Sequence, residues 1–309
     1  MTGLRAATAV ALVLTFALIV LGAWVRATGS GLSCPDWPTC YGHWVPLPSD
    51  IPADSGYSYF HIMLEWVHRL IAGVILGPLI LAIGVLSWRG RALQPRLPLY
   101  GGLLVLLLLV QALLGGVTVL DQNSPWSVAL HLGTALILFS VLWLIFDRAG
   151  GQARAVAGPA RPLSLLLWLT AFGAMVSAAV MTKSGASLAC STWPLCEGAF
   201  VPDLADAGIR LNFTHRLLAA ATGLGVLALL LVAREQPIRP LAALACALVL
   251  AEIALGGLLV ALLVPVSSAV AHQALGVLTF AVLSLIMWRC HRPAEARSRG
   301  SVRVGLSRA

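Results

Sequence analysis

TGSGLSCPDWPTCYGHWVP, residues 28–46, comes back later in the chain as KSGASLACSTWPLCEGAFVP, residues 183–202. Both stretches contain two cysteines with five residues between them, and a Trp-Pro pair lies inside that interval. The first cysteines of the two stretches are 156 positions apart, and so are the second cysteines. A segment that returns at a constant offset with the same cysteine spacing indicates an internal repeat.

The repeat continues beyond the cysteines. Residues 65–73, EWVHRLIAG, match residues 212–220, NFTHRLLAA, and residues 114–117, LGGV, match residues 255–258, LGGL. The offset shrinks along the chain because the connecting loops differ in length. The sequence is therefore predicted to contain two copies of one unit.

The composition indicates that both copies lie in a membrane. Hydrophobic residues make up 59% of the 309 residues and charged residues 10%, and the mean hydropathy is +0.92, which excludes an ordinary soluble domain. Apolar segments of about twenty residues are long enough to cross a bilayer as helices. The sequence holds eight, near Thr8–Arg26, Phe60–Trp88, Pro98–Leu120, Trp126–Phe146, Leu163–Thr182, Leu211–Ala233, Leu241–Val264 and Val266–Trp288.

We therefore predict an all-α polytopic membrane protein. Each copy has an even number of spans, so its eight transmembrane helices are expected to form two parallel-repeat four-helix bundles. The expected divisions are an N-terminal bundle over residues 1–147, a cytoplasmic linker over 148–162, a C-terminal bundle over 163–289 and a basic cytoplasmic tail over 290–309.

The positive charge predicts the orientation. The net charge is +8 and the pI is 9.8, and most arginines lie at the N-terminus, in the tail and in alternate connections between spans. The two cysteine-containing loops instead hold six of the twelve acidic residues. By the positive-inside rule, both termini are cytoplasmic and the cysteine loops are outside. Nucleic-acid binding is not needed to explain the charge, and the expected surroundings are membrane lipid.

Four histidines form the most informative pattern inside the spans. His68 matches His215, and His131 matches His272, each near the outer end of its span. Two imidazoles on facing helices can bind a haem iron from both sides, and a bundle core is a usual place for that cofactor. The alternative is that the histidines only hydrogen-bond neighbouring helices. Copper or zinc is less favoured because additional ligands are missing nearby, except for Glu65.

The two copies differ at one polar position. Glu65 lies three residues before His68, on roughly the same helix face, whereas the second copy has Asn212 there. An intramembrane carboxylate next to a haem ligand predicts a catalytic base or proton relay; the alternative is a structural partner for Arg69. Arg69 and its counterpart Arg216 are candidates for binding haem propionates. Gln111 and its counterpart Glu252 are expected to make hydrogen bonds between helices.

The cysteines divide into two loop pairs and two single residues. Cys34–Cys40 and Cys190–Cys196 are expected to form local disulfides, because the loops lie on the oxidising side. Each disulfide loop is either a structural lid or a thiol-disulfide relay. Cys246 and Cys290 are expected to be free.

Taken together, these residues resemble the bacterial heme A synthase family. The resemblance rests on Glu65–Arg69, on Thr214–Arg216, on the two cysteine pairs and on the fourfold histidine pattern, and it excludes only the arginine-rich tail. It implies an oxidoreductase of the bacterial cell (inner) membrane that oxidises the C8 methyl group of haem o to a formyl group. The product, haem a, serves assembly of cytochrome aa3-type terminal oxidases.

The resemblance also implies roles for the site residues. His68 and His131 would hold the substrate haem o, His215 and His272 a haem b cofactor, and Glu65 would be catalytic. Water is the expected oxygen source, and an activated oxygen species is the alternative. Haem o synthase and oxidase assembly factors are candidate partners, and a homo-oligomer is left open. Two other functions remain: a di-haem b-type membrane electron-transfer cytochrome, and a transporter built on parallel repeats.

Overall fold

Helices that can span a membrane make up most of the chain in the computed structural model, which describes residues 1–151, 156 and 158–292. Eight helical spans are long and apolar enough to cross a bilayer, and the described residues form no β-strand. The prediction of an all-helical membrane protein with eight spans is confirmed. The helices are α1 (Thr2–Ala27), α2 (Tyr59–Leu70), α3 (Gly77–Arg89), α4 (Leu97–Leu120), α5 (Pro125–Ala149), α6 (Ala160–Lys183), α7 (Ala207–Val232), α8 (Arg239–Ala261) and α9 (Val266–Cys290).

The second span is a continuous helix whose middle is wider than an α-helix. A π-helical segment, Ile71–Leu76, joins α2 to α3 directly after His68 and Arg69. The N–H of Gly77 donates to the carbonyl of Ala72, five residues earlier, and the next residue is Pro78, which has no N–H to donate. This segment was not predicted from the sequence, and it changes the rotation of α3 relative to the histidine-bearing turn.

The helices pack in two groups that share a central contact. In the first half α1 packs on α3 and α5, and α4 packs on both of these; in the second half α6 packs on α7 and α9, and α8 packs on both of these. Contacts between α5 and α6, α1 and α9, and α5 and α9 join the halves. α5 and α9 are the most buried spans, whereas α4 and α8 expose leucines and valines of the kind that contact lipid. The interpretation of the halves as copies of one bundle stays a prediction.

The turns between the last two spans of each half have the same backbone shape. Gln122 and Asn123 have φ values of 48° and 54°, and Leu263 and Val264 have φ values of 60° and 59°. The predicted seventh span extended to Val264, but α8 ends at Ala261 because these residues leave the helical conformation. Asn tolerates the left-handed region, while a β-branched Val is strained there.

A buried carboxylate joins the halves at the end opposite the cysteine loops. Asp147 of α5 accepts hydrogen bonds from Arg289 Nε at 3.2 Å, from Arg292 Nη2 at 2.8 Å and from Arg148 Nη1 at 3.4 Å. Asp147 is 7% exposed. The sequence analysis attributed the arginines of this region to orientation only. Of the predicted linker, residues 152–155 and 157 lie outside the described residues, and so does the tail beyond residue 292.

Candidate functional site

The four histidines lie near the end of the helices that carries the cysteine loops, which we call the disulfide end. His68 is on α2, His131 on α5, His215 on α7 and His272 on α9. The rings of His215 and His272 lie edge to face, with their centres 6.4 Å apart and their planes at 78°. His68 and His131 are close enough to interact electrostatically. The structure thus groups the histidines in the two pairs that the sequence predicted, one in each half.

Glycines lie directly against three of these rings. A Cβ atom built on Gly22 would come within 3.0 Å of His68 Cε1, and one on Gly115 within 3.4 Å of His131 Cε1. The same atom on Gly256 would lie 3.2 Å from His272 Cε1. A Cβ on Gly22 or Gly256 would be tighter than an ordinary contact, so these two glycines allow a helix to approach a histidine closely, whereas a Cβ on Gly115 would be in ordinary contact with the ring.

Polar side chains from neighbouring helices contact the histidines as well. Gln111 Nε2 of α4 lies 3.2 Å from both ring nitrogens of His131, and Glu252 Oε1 of α8 lies 3.2 Å from His272 Nδ1. His215 Nδ1 lies 2.9 Å from the carbonyl of Ala174 on α6. Gln111 and Glu252 were predicted to make hydrogen bonds between helices; Gln111 does so with His131, and Glu252 lies next to His272.

The histidine pairs suit an iron macrocycle better than a metal ion held by protein alone. His215 and His272, whose ring centres are 6.4 Å apart, would hold the iron of such a group through one nitrogen of each imidazole. Among the described residues, no group of three or more His, Cys, Asp or Glu side chains could hold a metal ion. The donor set present therefore fits a haem held by two histidines.

Both predicted disulfides are present at the disulfide end. Cys34 pairs with Cys40 and Cys190 with Cys196, and the Cα atoms of each pair are 4.7 Å apart. Cys246 and Cys290 are free, as predicted. Each loop contains a cis Trp-Pro peptide bond, and its second cysteine pairs through the backbone with the residue three positions later. The two loops thus adopt the same local structure.

An arginine beside each loop binds three of its carbonyl oxygens. Arg69 donates from Nη1 to Asp36 O at 2.5 Å and Thr39 O at 2.7 Å, and from Nη2 to Cys34 O at 3.1 Å. Arg216 donates to the equivalent oxygens at 2.7, 3.1 and 2.8 Å, those of Thr192, Leu195 and Cys190. The terminal nitrogens of both guanidinium groups are therefore engaged with the loops. We call this arrangement the arginine clamp; that the same two arginines bind propionates stays a prediction.

The polar residue one turn before each clamp arginine reverses its hydrogen-bonding role between the halves. Glu65, 5% exposed, accepts from Arg69 Nη2 at 2.5 Å, from Ser33 Oγ at 3.1 Å and from the backbone N–H of Cys34 at 3.0 Å. Asn212 accepts from Arg216 Nε at 2.9 Å but donates to two loop carbonyls, at 3.0 and 2.9 Å. Only the first loop is therefore bonded to a carboxylate of the histidine-bearing helix.

Tryptophans of the loops pack on the second glycine of each Leu-Gly-Gly segment. A Cβ atom on Gly116 would lie 3.2 Å from two ring atoms of Trp37, and one on Gly257 would lie 2.9 Å from Trp193 Cδ2. In each segment the first glycine thus faces a histidine and the second faces the loop tryptophan. The Gly-Gly helix of each half therefore contacts both a histidine and the disulfide loop.

Carboxylates stabilise the two loops in different ways. Burial raises the pKa of Asp36, but hydrogen bonds from the Thr39 hydroxyl and from the N–H groups of Gly42 and Tyr41 outweigh burial and lower that pKa below its ordinary value. In the second loop, the N–H and hydroxyl of Ser191 lower the pKa of Glu197. Both carboxylates are therefore ionised at neutral pH.

Comparison with known proteins extends the resemblance over nearly the whole chain. The profile of the COX15-CtaA family, described as cytochrome oxidase assembly protein, matches residues 5–284. The chain belongs to this family. Proteins named heme A synthase are similar to it: one from Shewanella oneidensis is 30% identical over 90% of this chain and 95% of its own length. Those from Symbiobacterium thermophilum and Methylobacterium radiotolerans are each 32% identical, over 84% and 88% of this chain and 86% and 85% of their own lengths.

The region that matches the COX15-CtaA family profile includes both disulfide loops and all four histidines. These residues follow from the sequence, but the features that bring them together do not. The arginine clamp, the contacts of Trp37 and Trp193, and the role of Gly22 were not predicted. The Gly-Gly that both copies share was the one available signal, since two adjacent glycines in a membrane helix leave room for close neighbours.

Proposed function

We propose that this protein is a heme A synthase: it oxidises the C8 methyl group of haem o to a formyl group. The observation that carries the proposal is the pair of histidines in each half, His215 with His272 and His68 with His131, together with the buried carboxylate Glu65 one turn from His68. Full-length similarity to proteins named heme A synthase supports the same conclusion. The product would serve assembly of a terminal oxidase in the bacterial inner membrane, with both termini of this chain cytoplasmic.

The half-reaction defines what the residues must do. Conversion of the methyl group to the formyl group takes up one water and releases four electrons and four protons. His68 and His131 would bind haem o, and His215 and His272 would bind haem b, which supplies a one-electron acceptor close to the substrate. The protein must then orient the methyl group, admit water and remove protons.

Glu65 is the residue best suited to accept those protons. An ionised carboxylate has about four acceptor positions, and Arg69, Ser33 and the Cys34 N–H occupy three of them. One acceptor position is left for a proton. The Ser33 hydroxyl, which donates to the same carboxylate, belongs to the residue directly before Cys34 of the loop. Asn212 has no basic oxygen, so the residue at the equivalent position of the second half cannot accept a proton in this way.

The disulfide loops would cover the outer ends of both sites. Tryptophan packing on Gly116 and Gly257 and the arginine clamps hold the loops over the helix ends. Such a cover limits the water that reaches the substrate methyl group to what the reaction consumes.

The test is pigment analysis of cells that make the protein together with a haem o source. The unmutated chain should produce haem a, and Glu65→Ala should abolish haem a while haem b stays bound. Asn212→Ala is the matched control at the same position of the second half, and haem a should still form. If Glu65→Ala makes haem a at the unmutated rate, the catalytic assignment is wrong. Pigment consisting only of haem b would favour a di-haem electron-transfer cytochrome, and no bound haem would favour a transporter.

A further inference from the structure

Among the described residues, two cations at the disulfide end, Arg26 and Lys183, have neither an anionic partner nor a hydrogen bond to a loop carbonyl. Most arginines there bind loop carbonyls, as Arg69, Arg210 and Arg216 do. Arg26, near the end of α1, donates only from Nη2 to Gln273 Oε1 at 3.1 Å, and Lys183, the last residue of α6, makes no hydrogen bond or ion pair within the part of the chain that the structure describes. These two side chains are therefore available to a ligand.

Arg26 lies between the two histidine sites. It follows Gly22 by four residues and so shares the face of α1 on which Gly22 contacts the His68 ring. Its hydrogen-bond partner Gln273 directly follows His272 on α9. The guanidinium group is thus held by the second half although it belongs to the first.

Lys183 adds a second positive charge on the same side. It lies within electrostatic range of Arg26, and both side chains are half-buried at the ends of apolar spans. Two like charges that lie close together with little water around them repel each other. Each has also lost part of its hydration without gaining an opposite charge in return. An anion between them would remove both costs. A haem carries two carboxylates, which matches the number of cations.

We propose that Arg26 and Lys183 bind the propionate carboxylates of the haem held between His215 and His272. Lys183 and Gln273 both belong to the second half, which selects this site over that of His68 and His131. The proposal rests on the proposed function for the identity of the ligand. It gives to this pair the role that the sequence pattern suggested for Arg69 and Arg216, whose terminal nitrogens bind the loops instead.

The test compares haem b with its dimethyl ester, which has the same ring and iron but no carboxylates. Full-length protein from a haem-deficient host, carrying His131→Ala so that one bis-histidine site remains, is titrated in detergent and followed by haem absorbance. The unmutated cation pair should bind haem b at least about tenfold more tightly than the ester, since charge-assisted hydrogen bonds are the strong ones. Arg26→Gln should reduce this preference severalfold, and Arg26→Lys should retain part of it. Arg210→Gln is the matched control, because it removes an arginine at the same end and should leave the preference unchanged.

A second measurement does not depend on how the variants fold. Lys183 is the only lysine in the sequence, so an amine-reactive reagent and peptide mass spectrometry report on it alone. Bound haem b should slow its labelling, and the bound dimethyl ester should not. Equal labelling with and without haem b, or an unchanged preference in Arg26→Gln and Lys183→Gln, would overturn the proposal. Equal binding of haem b and ester by the unmutated pair would overturn it too and leave the proposed function standing. Failure to bind either compound would overturn both.

Discussion

Replacing Arg69 by methionine should destabilise the protein more than the same replacement of Arg216. Methionine keeps most of the apolar stem and removes the guanidinium group. Each substitution abolishes three hydrogen bonds to loop carbonyls at equivalent positions. The two arginines differ in their fourth partner, because Arg69 neutralises a buried carboxylate, Glu65, and Arg216 binds a neutral amide, Asn212.

The magnitude follows from that difference. The loop carbonyls of both halves lie near the helix ends and can be rehydrated, so their loss should cost about 1.5–3 kcal/mol in each variant. Removing one member of a buried ion pair costs about 3–5 kcal/mol, because the remaining charge is unpaired, and the side chains of Glu65 and Arg69 are only 7% and 15% exposed. Arg69→Met should therefore exceed Arg216→Met by about 1–3 kcal/mol.

The assay is thermal unfolding of the full-length variants in one detergent, followed by circular dichroism. A difference of 1–3 kcal/mol corresponds to thermal midpoints that differ by at least about 2 °C. Adding Glu65→Gln to Arg69→Met should recover much of the loss by removing the unpaired charge, whereas adding Asn212→Ala to Arg216→Met should recover nothing. Equal losses for the two arginine variants, or no recovery with Glu65→Gln, would refute the reasoning.

Two further substitutions test contacts of the helices and turns. Gly102→Ala in α4 should stabilise the helix by up to about 1 kcal/mol, because the new Cβ meets no atom within 4 Å. Gly116→Ala in the same helix should lose this gain, because its new Cβ lies 3.2 Å from Trp37. An equal rise in thermal midpoint for both variants would contradict the predicted contact. Val264→Asn should raise the free energy of unfolding by about 1 kcal/mol, because Asn tolerates a φ of 59° and already occupies the equivalent position 123, and a lowered midpoint would show that the turn is not strained.

The sequence was sufficient for features that depend on composition and spacing. Eight apolar segments predict eight spans, and cysteines five residues apart in outer loops predict local disulfides. The pairing of His215 with His272 followed from the repeat, because matched residues of one unit lie at matched depth. Each of these inferences uses a regularity that is local or duplicated.

Other features could not be predicted because they depend on contacts between distant segments. Arg69 binds carbonyls about 30 residues earlier in the chain, and nothing in its own helix indicates that partner. The contact of Arg26 with Gln273 joins residues 247 positions apart. The change from Glu65 to Asn212 was visible in the sequence, but whether each would accept from the loop or donate to it depends on loop geometry.

The arginine clamp also explains where the two loops are free to diverge. Each guanidinium group contacts only main-chain oxygens of its loop, so this anchoring does not depend on the side chains of the clamped residues. Asp36 and Thr39 of the first loop are accordingly Thr192 and Leu195 in the second, with the same anchoring. The loop tryptophans, by contrast, contribute their rings, and both copies keep them. The clamp itself should therefore not restrict which side chains occur at Thr39 and Leu195, whereas mutations should be rejected at the tryptophans and at the glycines beneath them.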